Sequence, residues 1–333
     1  AFSPWNFPIN QAVRKISGAV AAGCSIILKG PEDTPASCAE LVRAFADAGI
    51  PDGVINLVYG VPADISNYLI PHPIIKKISF TGSTAVGKEL AALAARHMKL
   101  STMELGGHAP AIVFNDADLA AALDVLTTQK FRNAGQVCVA PTRFLIQDEL
   151  YEKFVDGYVQ LAKKVQLGNG LETSTSMGPL AHDRRLAAVE ELVQDAVDLG
   201  AKIHCGGQRP KNVGYFYPPT VLTGVPKSAR MMNEEPFGPV IPISSFTTVD
   251  EVLEEANRLP YGLSAYAYTA SSETADRVGR EIESGIIGIN HHGQPAIETP
   301  FGGVQDSGQG KENGSEGLES YMHSKLISHK TTP

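Results

Sequence analysis

Apolar residues in the first hundred positions follow two alternating patterns. Ala-, Leu- and Val-rich segments with apolar residues three or four apart predict helices at residues 11–22, 35–48, 63–70 and 90–98. Short β-branched runs between them predict buried strands at residues 25–28, 54–58, 74–80 and near residue 100. Such alternation predicts a parallel sheet with helical crossovers, and therefore an α/β fold that binds its ligand beyond the carboxyl ends of the strands.

The alternation repeats from Ile112 onward. It predicts helices at residues 118–130, 149–165, 183–199, 249–258 and 273–283. It predicts strands at residues 145–146, 202–205, 215–222, 241–246 and 286–290. The Ser-, Thr- and Gly-rich residues 168–179 predict a surface loop. The short tail at residues 321–329 has a sequence that can form a β-strand. Such a strand could pair with the sheet edge of a neighbouring subunit.

A tight glycine turn follows the strand predicted at residues 74–80. Gly82 and Gly87 lie in the run Thr81-Gly82-Ser83-Thr84-Ala85-Val86-Gly87-Lys88, which opens the next helix. Unpaired amides and the positive end of the helix dipole bind phosphate groups at such a turn. A plain strand-to-helix connection is the alternative, because a glycine pair at this spacing is a weak signal.

The same run also fits G-x-x-x-x-G-K, the phosphate loop of nucleotide hydrolases, and residues 112–116 could serve as the acidic strand of that fold. That motif needs a Ser or Thr hydroxyl after the lysine to hold magnesium, and the residue here is Glu89. Its carboxylate would also repel phosphate. The dinucleotide-binding interpretation is therefore favoured over the hydrolase one.

Cys138 stands in the run Phe131-Arg132-Asn133-Ala134-Gly135-Gln136-Val137-Cys138-Val139-Ala140-Pro141-Thr142-Arg143. A thiolate becomes nucleophilic where nearby donors or a base lower its pKa. Gly135 and Gln136 let backbone amides approach the sulfur, and we expect Arg132 and Arg143 to add positive potential on either side. A buried cysteine that acts as a small hydrophobic residue is the alternative, and this run alone does not separate the two.

Glu104 is followed by Leu105-Gly106-Gly107 at the end of the strand predicted near residue 100. A glutamate at that position can project into a crevice, where burial raises its pKa and makes it useful as a general base. Taken alone, the residue fits a loop carboxylate better than a catalytic one.

Composition excludes several other classes of function. The 333 residues are 43% hydrophobic and 19% charged, and the net charge of −8 includes no lysine or arginine block, so a nucleic acid or anionic membrane is not the expected partner. No apolar run approaches membrane-spanning length. The four cysteines lie far apart, which suits reduced thiols in the cytoplasm, and adjacent His291 and His292 lack metal-ligand partners in sequence.

Several separated motifs together resemble the NAD(P)-dependent aldehyde dehydrogenase family, most closely its succinate-semialdehyde dehydrogenase branch. They are Pro4-Trp5-Asn6-Phe7-Pro8, Leu28-Lys29 with Glu32, Phe80-Thr81-Gly82-Ser83 with Gly87, Glu104-Leu105-Gly106-Gly107, Gly135-Gln136 with Cys138, Glu235-Pro236-Phe237-Gly238-Pro239 and Pro300-Phe301-Gly302-Gly303. The resemblance implies the C-terminal part of a Rossmann-type NAD-binding domain at residues 1–106, an α/β catalytic domain at 107–306, and a C-terminal oligomerisation segment at 307–333.

The resemblance also implies catalytic roles. Cys138 would attack the aldehyde carbon to give a thiohemiacetal, and the Asn6 amide with the Cys138 backbone N–H would stabilise the oxyanion. Hydride transfer would leave a thioester, which water activated by Glu104 would hydrolyse. The alternative for Asn6 is a loop amide between two prolines.

The implied cofactor contacts are Trp5, Lys29, Glu32, Gly82, Ser83, Gly87, Leu105, Glu235 and Phe237. Lys29 and Glu32 would hold the adenosine ribose, Ser83 would meet the pyrophosphate, and Glu235 would bind the nicotinamide ribose. Because a carboxylate at Glu32 should repel a 2′-phosphate, NAD is favoured, with NADP as the other possibility. A surface ion pair is the alternative for Lys29 and Glu32.

The substrate implied by this branch is a semialdehyde such as succinate semialdehyde, with Arg132 binding its carboxylate. Ala140 replaces the second cysteine that forms a redox switch in many members, so no such switch is expected. The loop at residues 291–296 lacks the serine expected near Ala296. The alternatives are a catalytically inactive NAD-binding homologue or fragment, and a dehydrogenase of non-carboxylated aldehydes.

Family members are longer at the amino end, so this chain is expected to be part of a longer protein, without its N-terminal third. A homodimer or homotetramer is the expected assembly.

Overall fold

Parallel strands connected by helices form the framework of the chain, as its alternating hydrophobic pattern predicts. The computed structural model describes residues 1–210, 214–293 and 296–331. The chain divides into two units: the first comprises Ala1–Glu104, Pro295–Gly302 and Gln309–Pro333, and the second comprises Leu105–Gln294 and Gly303–Gly308. The expectation of an α/β fold is confirmed.

The helices and strands follow one another in the order α1 (Pro8–Ala21), β1 (Ile26–Lys29), α2 (Pro35–Asp47), β2 (Ile55–Val58), α3 (Pro62–Leu69), β3 (Lys77–Thr81), α4 (Thr84–Arg96), β4 (Leu100–Glu104), β5 (Ala109–Val113), α5 (Leu119–Phe131), β6 (Pro141–Gln147), α6 (Tyr151–Ala162), α7 (Asp183–Asp198), β7 (Lys202–Cys205), β8 (Thr220–Thr223), β9 (Val240–Phe246), α8 (Val249–Asn257), β10 (Tyr261–Gly262), β11 (Ser264–Tyr268), α9 (Ser272–Glu281), β12 (Ile286–Ile289), β13 (Val304–Gln305), β14 (Gly308–Gln309) and α10 (Gly314–Glu319). Short 3₁₀ helices span Arg132–Gly135 and Arg230–Met232.

In the first unit, β1 pairs with β2 and β3 pairs with β4, both in parallel. Phe2 makes a parallel bridge to Lys29 of β1 and another to Phe80 of β3, so it joins the two pairs. Helix α1 covers this layer with its buried residues Ala12, Ile16 and Ala19, which cluster with Leu28 of β1. All of these strands run the same way, so their carboxyl ends meet at one edge.

In the second unit, seven strands form a sheet in the order β12-β11-β5-β6-β9-β8-β7. Every pairing is parallel except that of β7 with β8. Side chains alternate between two cores, since Ala111 and Val113 of β5 pack with buried residues of α5, α6 and α7, whereas Ile112 packs with those of α8 and α9. Helices therefore cover both faces of the sheet, as is usual for a parallel one.

The largest differences from the predicted elements lie in the second unit. The strand predicted at residues 215–222 begins only at Thr220, because Pro218 and Pro219 lack the N–H groups that a strand donates. Strand β11 was not predicted, although all five of its residues are buried. Residues 320–331 contain no strand, so the use of the tail in assembly stays a prediction. Within the described residues, no helix is long and apolar enough to cross a membrane.

The expectation that Arg143 adds positive potential beside Cys138 is wrong. Arg143 lies on β6 with its side chain fully buried and donates hydrogen bonds to the carbonyl oxygens of His108, Glu255 and Ala256. It also pairs with the Glu255 carboxylate at 3.4 Å. Burial lowers the pKa of its guanidinium to about 10, which leaves it charged at neutral pH. Its charge is thus used to hold the end of α8 against the sheet.

Replacement of Arg143 with Met should destabilise the protein by roughly 3 kcal/mol, because three buried carbonyl oxygens lose their donor at about 1 kcal/mol or more each. Glu255 keeps Lys227 and Arg258 as partners, so no unpaired charge is added to that cost. Denaturant unfolding measures the change. Arg280→Met is the matched control, since Arg280 forms an exposed pair with Asp276 and should give less than about 1 kcal/mol. Equal effects in the two variants would contradict the structural role of Arg143.

Candidate active site

Cys138 lies in a hydrogen-bonded turn between α5 and β6. The backbone N–H of Ala140 donates to the Val137 carbonyl at 3.0 Å, so Cys138 and Val139 occupy the two central positions of the turn. The residue is half-buried. A reactive cysteine needs this partial access, which a core cysteine lacks.

The segment before this turn has an unusual backbone. Asn133, Ala134 and Gly135 have φ angles of 49°, 54° and 74°, so three consecutive residues adopt the left-handed conformation. Each non-glycine residue in that conformation costs about 1–2 kcal/mol and persists only where its surroundings impose it. Strain of this kind is concentrated at functional sites, and here it lies directly before the candidate nucleophile.

Gln136 holds the strained segment in place. Its buried side chain donates to the Asn133 carbonyl at 3.0 Å and accepts from the Ala181 N–H at 2.9 Å. Two glycines allow close packing: a Cβ at Gly135 would overlap the carbonyl oxygen of Gly238, and one at Gly107 would lie 2.8 Å from that of Cys138. Gly135 and Gln136 therefore fix the segment before Cys138, and the approach of backbone amides to the sulfur stays a prediction.

Glu235 belongs to the same region of the second unit. Its carboxylate accepts the Gly107 N–H at 3.1 Å. Burial raises the pKa of Glu235 to about 7, opposed by that hydrogen bond and by the charges of Arg185 and Lys130. Lys130 itself is fully buried, and burial lowers its pKa to about 7. The second unit thus brings Gly107, Cys138 and Glu235 together.

The other predicted residues of the second unit surround this region in sequence. Leu105 is buried, and its N–H donates to the Ser307 carbonyl at 3.0 Å. Phe237 has a φ of 42°, which is rare for a bulky residue, and precedes the Gly238 that packs against Gly135. Arg132 is exposed and begins the 3₁₀ helix.

Glu104 ends β4 in the first unit and is 3% exposed. Within residues 1–210, 214–293 and 296–331, neither of its carboxylate oxygens has a hydrogen-bond partner. Burial, and next the nearby charge of Glu312, raise the pKa of Glu104 well above its usual value, while Lys15 and Lys311 act in the opposite direction. A buried carboxyl with unsatisfied oxygens and a raised pKa has the properties of a general base.

Two residues near Glu104 were missed in the sequence. Lys15 of α1 is fully buried, donates to Thr81 Oγ1 at 2.6 Å and pairs with Glu312. The available signal was a lysine on the buried face of an amphipathic helix, beside Ala12, Ile16 and Ala19. Glu312 gave no comparable signal, because it is 297 residues away from Lys15 along the chain.

The predicted cofactor residues of the first unit follow the carboxyl ends of neighbouring strands. Lys29 ends β1, is 5% exposed and pairs with exposed Glu32. Burial acts in the opposite direction, but the Lys29 hydrogen bond and charge lower the pKa of Glu32. Ser83 occupies the N-cap position of α4 after β3, without a side-chain capping hydrogen bond. Trp5 and Asn6, both half-buried, follow the Phe2 bridge. This edge of the sheet therefore collects Trp5, Asn6, Lys29, Glu32, Ser83 and Glu104.

A cavity of about 400 Å³ opens between α3 and α4, beside that edge. Pro62, Ala63, Phe80, Val86 and Leu90 supply much of its apolar lining. Its volume is within the roughly 300–1,000 Å³ of small-molecule sites. An apolar cavity next to a helix N-terminus suits the flat base and the phosphates of a dinucleotide, so the residues present fit NAD(P).

Comparison with known proteins agrees with this geometry. The model of the aldehyde dehydrogenase family matches residues 1–327. The chain belongs to the aldehyde dehydrogenase family. Its expected resemblance, α/β fold and use of a nicotinamide cofactor are thereby confirmed. The family match also removes the nucleotide-hydrolase interpretation of residues 82–88.

Two curated relatives and one solved structure illustrate the match. The chain is 46% identical to a 4-(hydroxymethyl)benzenesulfonate dehydrogenase of Comamonas testosteroni and 41% identical to the NADP(+) succinate-semialdehyde dehydrogenase of Escherichia coli, covering 98% of this chain and 68% of each relative. It superposes with a TM-score of 0.96 and 35% identity on an NAD-dependent aldehyde dehydrogenase from Sinorhizobium meliloti, covering 100% of this chain and 67% of that one. This aldehyde dehydrogenase chain thus spans about two thirds of their length.

Other predictions for this aldehyde dehydrogenase remain open. The described residues contain no group of His, Cys, Asp or Glu that could hold a metal ion. Gln294 and Pro295, in the loop that lacks the expected serine, lie outside the described residues. The individual catalytic and cofactor roles stay predictions.

Proposed function

We propose that this aldehyde dehydrogenase oxidises an aldehyde with a distal anionic group, a carboxylate or a sulfonate, to the corresponding acid. The observation that carries the proposal is the half-buried Cys138 on its strained, tightly packed turn. The first unit is proposed as the cofactor-binding part and the second as the catalytic part. Assembly as a homodimer or homotetramer and a cytoplasmic location remain predictions.

In the proposed mechanism, Cys138 Sγ attacks the aldehyde carbon and forms a thiohemiacetal. The Asn6 side-chain amide and the Cys138 backbone N–H stabilise its oxyanion, where loss of one donor typically costs about 3 kcal/mol of barrier. Bound NAD(P) supplies the hydride acceptor. A thioester is left on Cys138.

Glu104 then accepts a proton from the water that hydrolyses the thioester, and the acid and the Cys138 thiolate are released. The raised pKa of Glu104 supports this role, because a buried carboxylate binds a proton more strongly than an exposed one. Lys15 and Glu312 set the electrostatic environment of Glu104 without contacting the substrate.

Cys138→Ala should abolish aldehyde oxidation and leave NAD binding unchanged, because only the nucleophile is removed. Steady-state production of NADH measures the first effect and titration calorimetry with NAD the second. Cys205→Ala is the matched control, since the half-buried Cys205 lies on β7 of the same unit and has no proposed role. Turnover retained in Cys138→Ala would refute the proposed mechanism. NAD binding without any aldehyde oxidation by the full-length wild-type protein would favour the inactive homologue.

Arg132 is proposed to bind the anionic group of the substrate. An exposed guanidinium at the start of the Cys138 segment can bind a carboxylate or sulfonate through two parallel N–H donors. The substrates in the names of the Comamonas testosteroni and Escherichia coli relatives also carry such groups, a benzenesulfonate in one and succinate semialdehyde in the other. These names support the shared chemistry and do not select between the two groups.

Arg132→Ala should raise KM for succinate semialdehyde and for 4-sulfobenzaldehyde by about tenfold or more, the effect of losing one charged hydrogen-bonded pair. KM for neutral benzaldehyde should change little. Arg184→Ala removes an equally exposed charge from the first turn of α7 and should leave all three values unchanged. An equal rise for charged and neutral aldehydes would refute the role of Arg132 and favour oxidation of non-carboxylated aldehydes.

NAD is proposed as the preferred cofactor. The Glu32 carboxylate is exposed and pairs with Lys29, so it offers a negative charge to a 2′-phosphate and occupies the lysine that would otherwise bind one. The Escherichia coli relative is named for NADP(+), so the family alone does not decide this point.

Glu32→Ser should therefore lower kcat/KM for NAD and raise it for NADP, and the ratio of the two should shift by about tenfold or more, corresponding to one charge–charge interaction of about 1.4 kcal/mol. Initial rates with each cofactor measure the ratio. Glu40→Ser, which removes an exposed carboxylate paired with Arg43, should not shift it. A wild-type preference for NADP would contradict the proposal.

A further inference from the structure

Tyr266 of β11 reaches the turn that carries Cys138. Its side chain is 2% exposed, and its hydroxyl donates to the Val139 carbonyl at 2.7 Å. Val139 follows Cys138 in the turn, so this hydrogen bond ties the candidate nucleophile to the sheet. A buried hydroxyl that donates to a backbone carbonyl is a directional anchor, in contrast to apolar contacts.

The hydroxyl of Tyr266 is a permanent donor. Burial, and to a smaller extent the nearby Cys138 and Tyr268, raise the pKa of Tyr266 well above its usual value. The phenol therefore stays protonated at every pH at which the enzyme would work.

His292 covers the ring of Tyr266. The two rings are stacked, with centroids 4.0 Å apart and planes inclined by 23°, and His292 is 9% exposed. Burial, followed by the charges of Arg132 and His291, lowers the pKa of His292 to about 4, so the imidazole is neutral at physiological pH. Its packing against the ring favours the single Tyr266 rotamer that reaches Val139.

We propose that Tyr266 is a positioning residue for Cys138, acting through the Val139 carbonyl, and that His292 fixes the Tyr266 ring in the conformation that makes this bond. The inference rests on the proposed function, because it assumes that Cys138 is the nucleophile. It assigns a role to the second of the adjacent histidines in the loop that departs from the branch pattern. It also gives β11, the strand that the sequence pattern did not reveal, a place in the catalytic machinery.

Tyr266→Phe in the full-length protein tests the proposal, because it removes the hydroxyl and keeps the ring. We expect kcat to fall by about tenfold or more, since a misplaced reacting group can cost up to about a hundredfold. KM for NAD should stay unchanged, and the rate of Cys138 alkylation by iodoacetamide should fall with kcat. Tyr268→Phe is the matched control: Tyr268 is buried two residues further along β11, and its hydroxyl has no hydrogen-bond partner among the described residues.

Two variants test the part played by His292. His292→Phe keeps a flat ring on Tyr266 and should retain most of the wild-type kcat, whereas His292→Ala should lower kcat and the alkylation rate in the direction of Tyr266→Phe. Melting temperatures of all variants show whether the fold is kept. If kcat falls as far in His292→Phe as in His292→Ala, the proposed stacking role of His292 is wrong.

Wild-type kcat and alkylation rate in Tyr266→Phe would overturn the proposal while leaving the proposed function intact, provided that Cys138→Ala is inactive. An equal loss in Tyr268→Phe would overturn it as well, because the effect would then belong to any buried hydroxyl on β11. If Cys138→Ala keeps its activity, the proposed function fails first and the inference fails with it.

Discussion

Close packing of backbone against backbone around Cys138 is the constraint on which the rest of the site depends. Gly135 lies against the Gly238 carbonyl and Gly107 against the Cys138 carbonyl, at distances that leave no room for a side chain. The segments that contain Gly107, Gly135 to Cys138, and Gly238 are therefore packed together in the second unit. Asn133 and Ala134 keep their left-handed conformation because the close packing around them prevents the backbone from relaxing. A nucleophile fixed in this way loses little entropy when it reacts.

Two buried cationic side chains, Arg143 and Lys15, have different roles in the structure. Arg143 and Lys15 are both fully buried, and each has a carboxylate partner and at least one neutral acceptor. Arg143 with Glu255 connects β6 to α8, so it serves packing in the second unit. Lys15 with Glu312 lies beside Glu104, so it alters the protonation of a candidate base. Burial alone does not distinguish these uses, and the neighbouring groups do.

The sequence could predict the fold class and most of the elements, because periodic apolar residues and glycine turns are local signals. It also singled out Gly135, Gln136 and Cys138, whose neighbours in sequence are their neighbours in space. It misplaced Arg143, since nothing local reveals that β6 turns this side chain into the core. It could not pair Lys15 with Glu312 or Tyr266 with Val139, because both contacts depend on strand order. Strand β11 itself was missed because its five residues include two alanines and a serine and no β-branched residue, which gives a weak strand signal.

The buried glutamates Glu104 and Glu235 have different surroundings, which suit them to different roles. Burial raises the pKa of both Glu104 and Glu235. Glu235 is partly compensated, because it accepts the Gly107 N–H and is near the charges of Arg185 and Lys130. Its carboxylate is therefore suited to hold a neutral hydroxyl group, such as one of a ribose. In the described residues Glu104 has no hydrogen-bond donor for either oxygen, and the nearby Glu312 further disfavours its charged form. Such a carboxylate gains most by taking a proton, which is what activation of a water molecule requires.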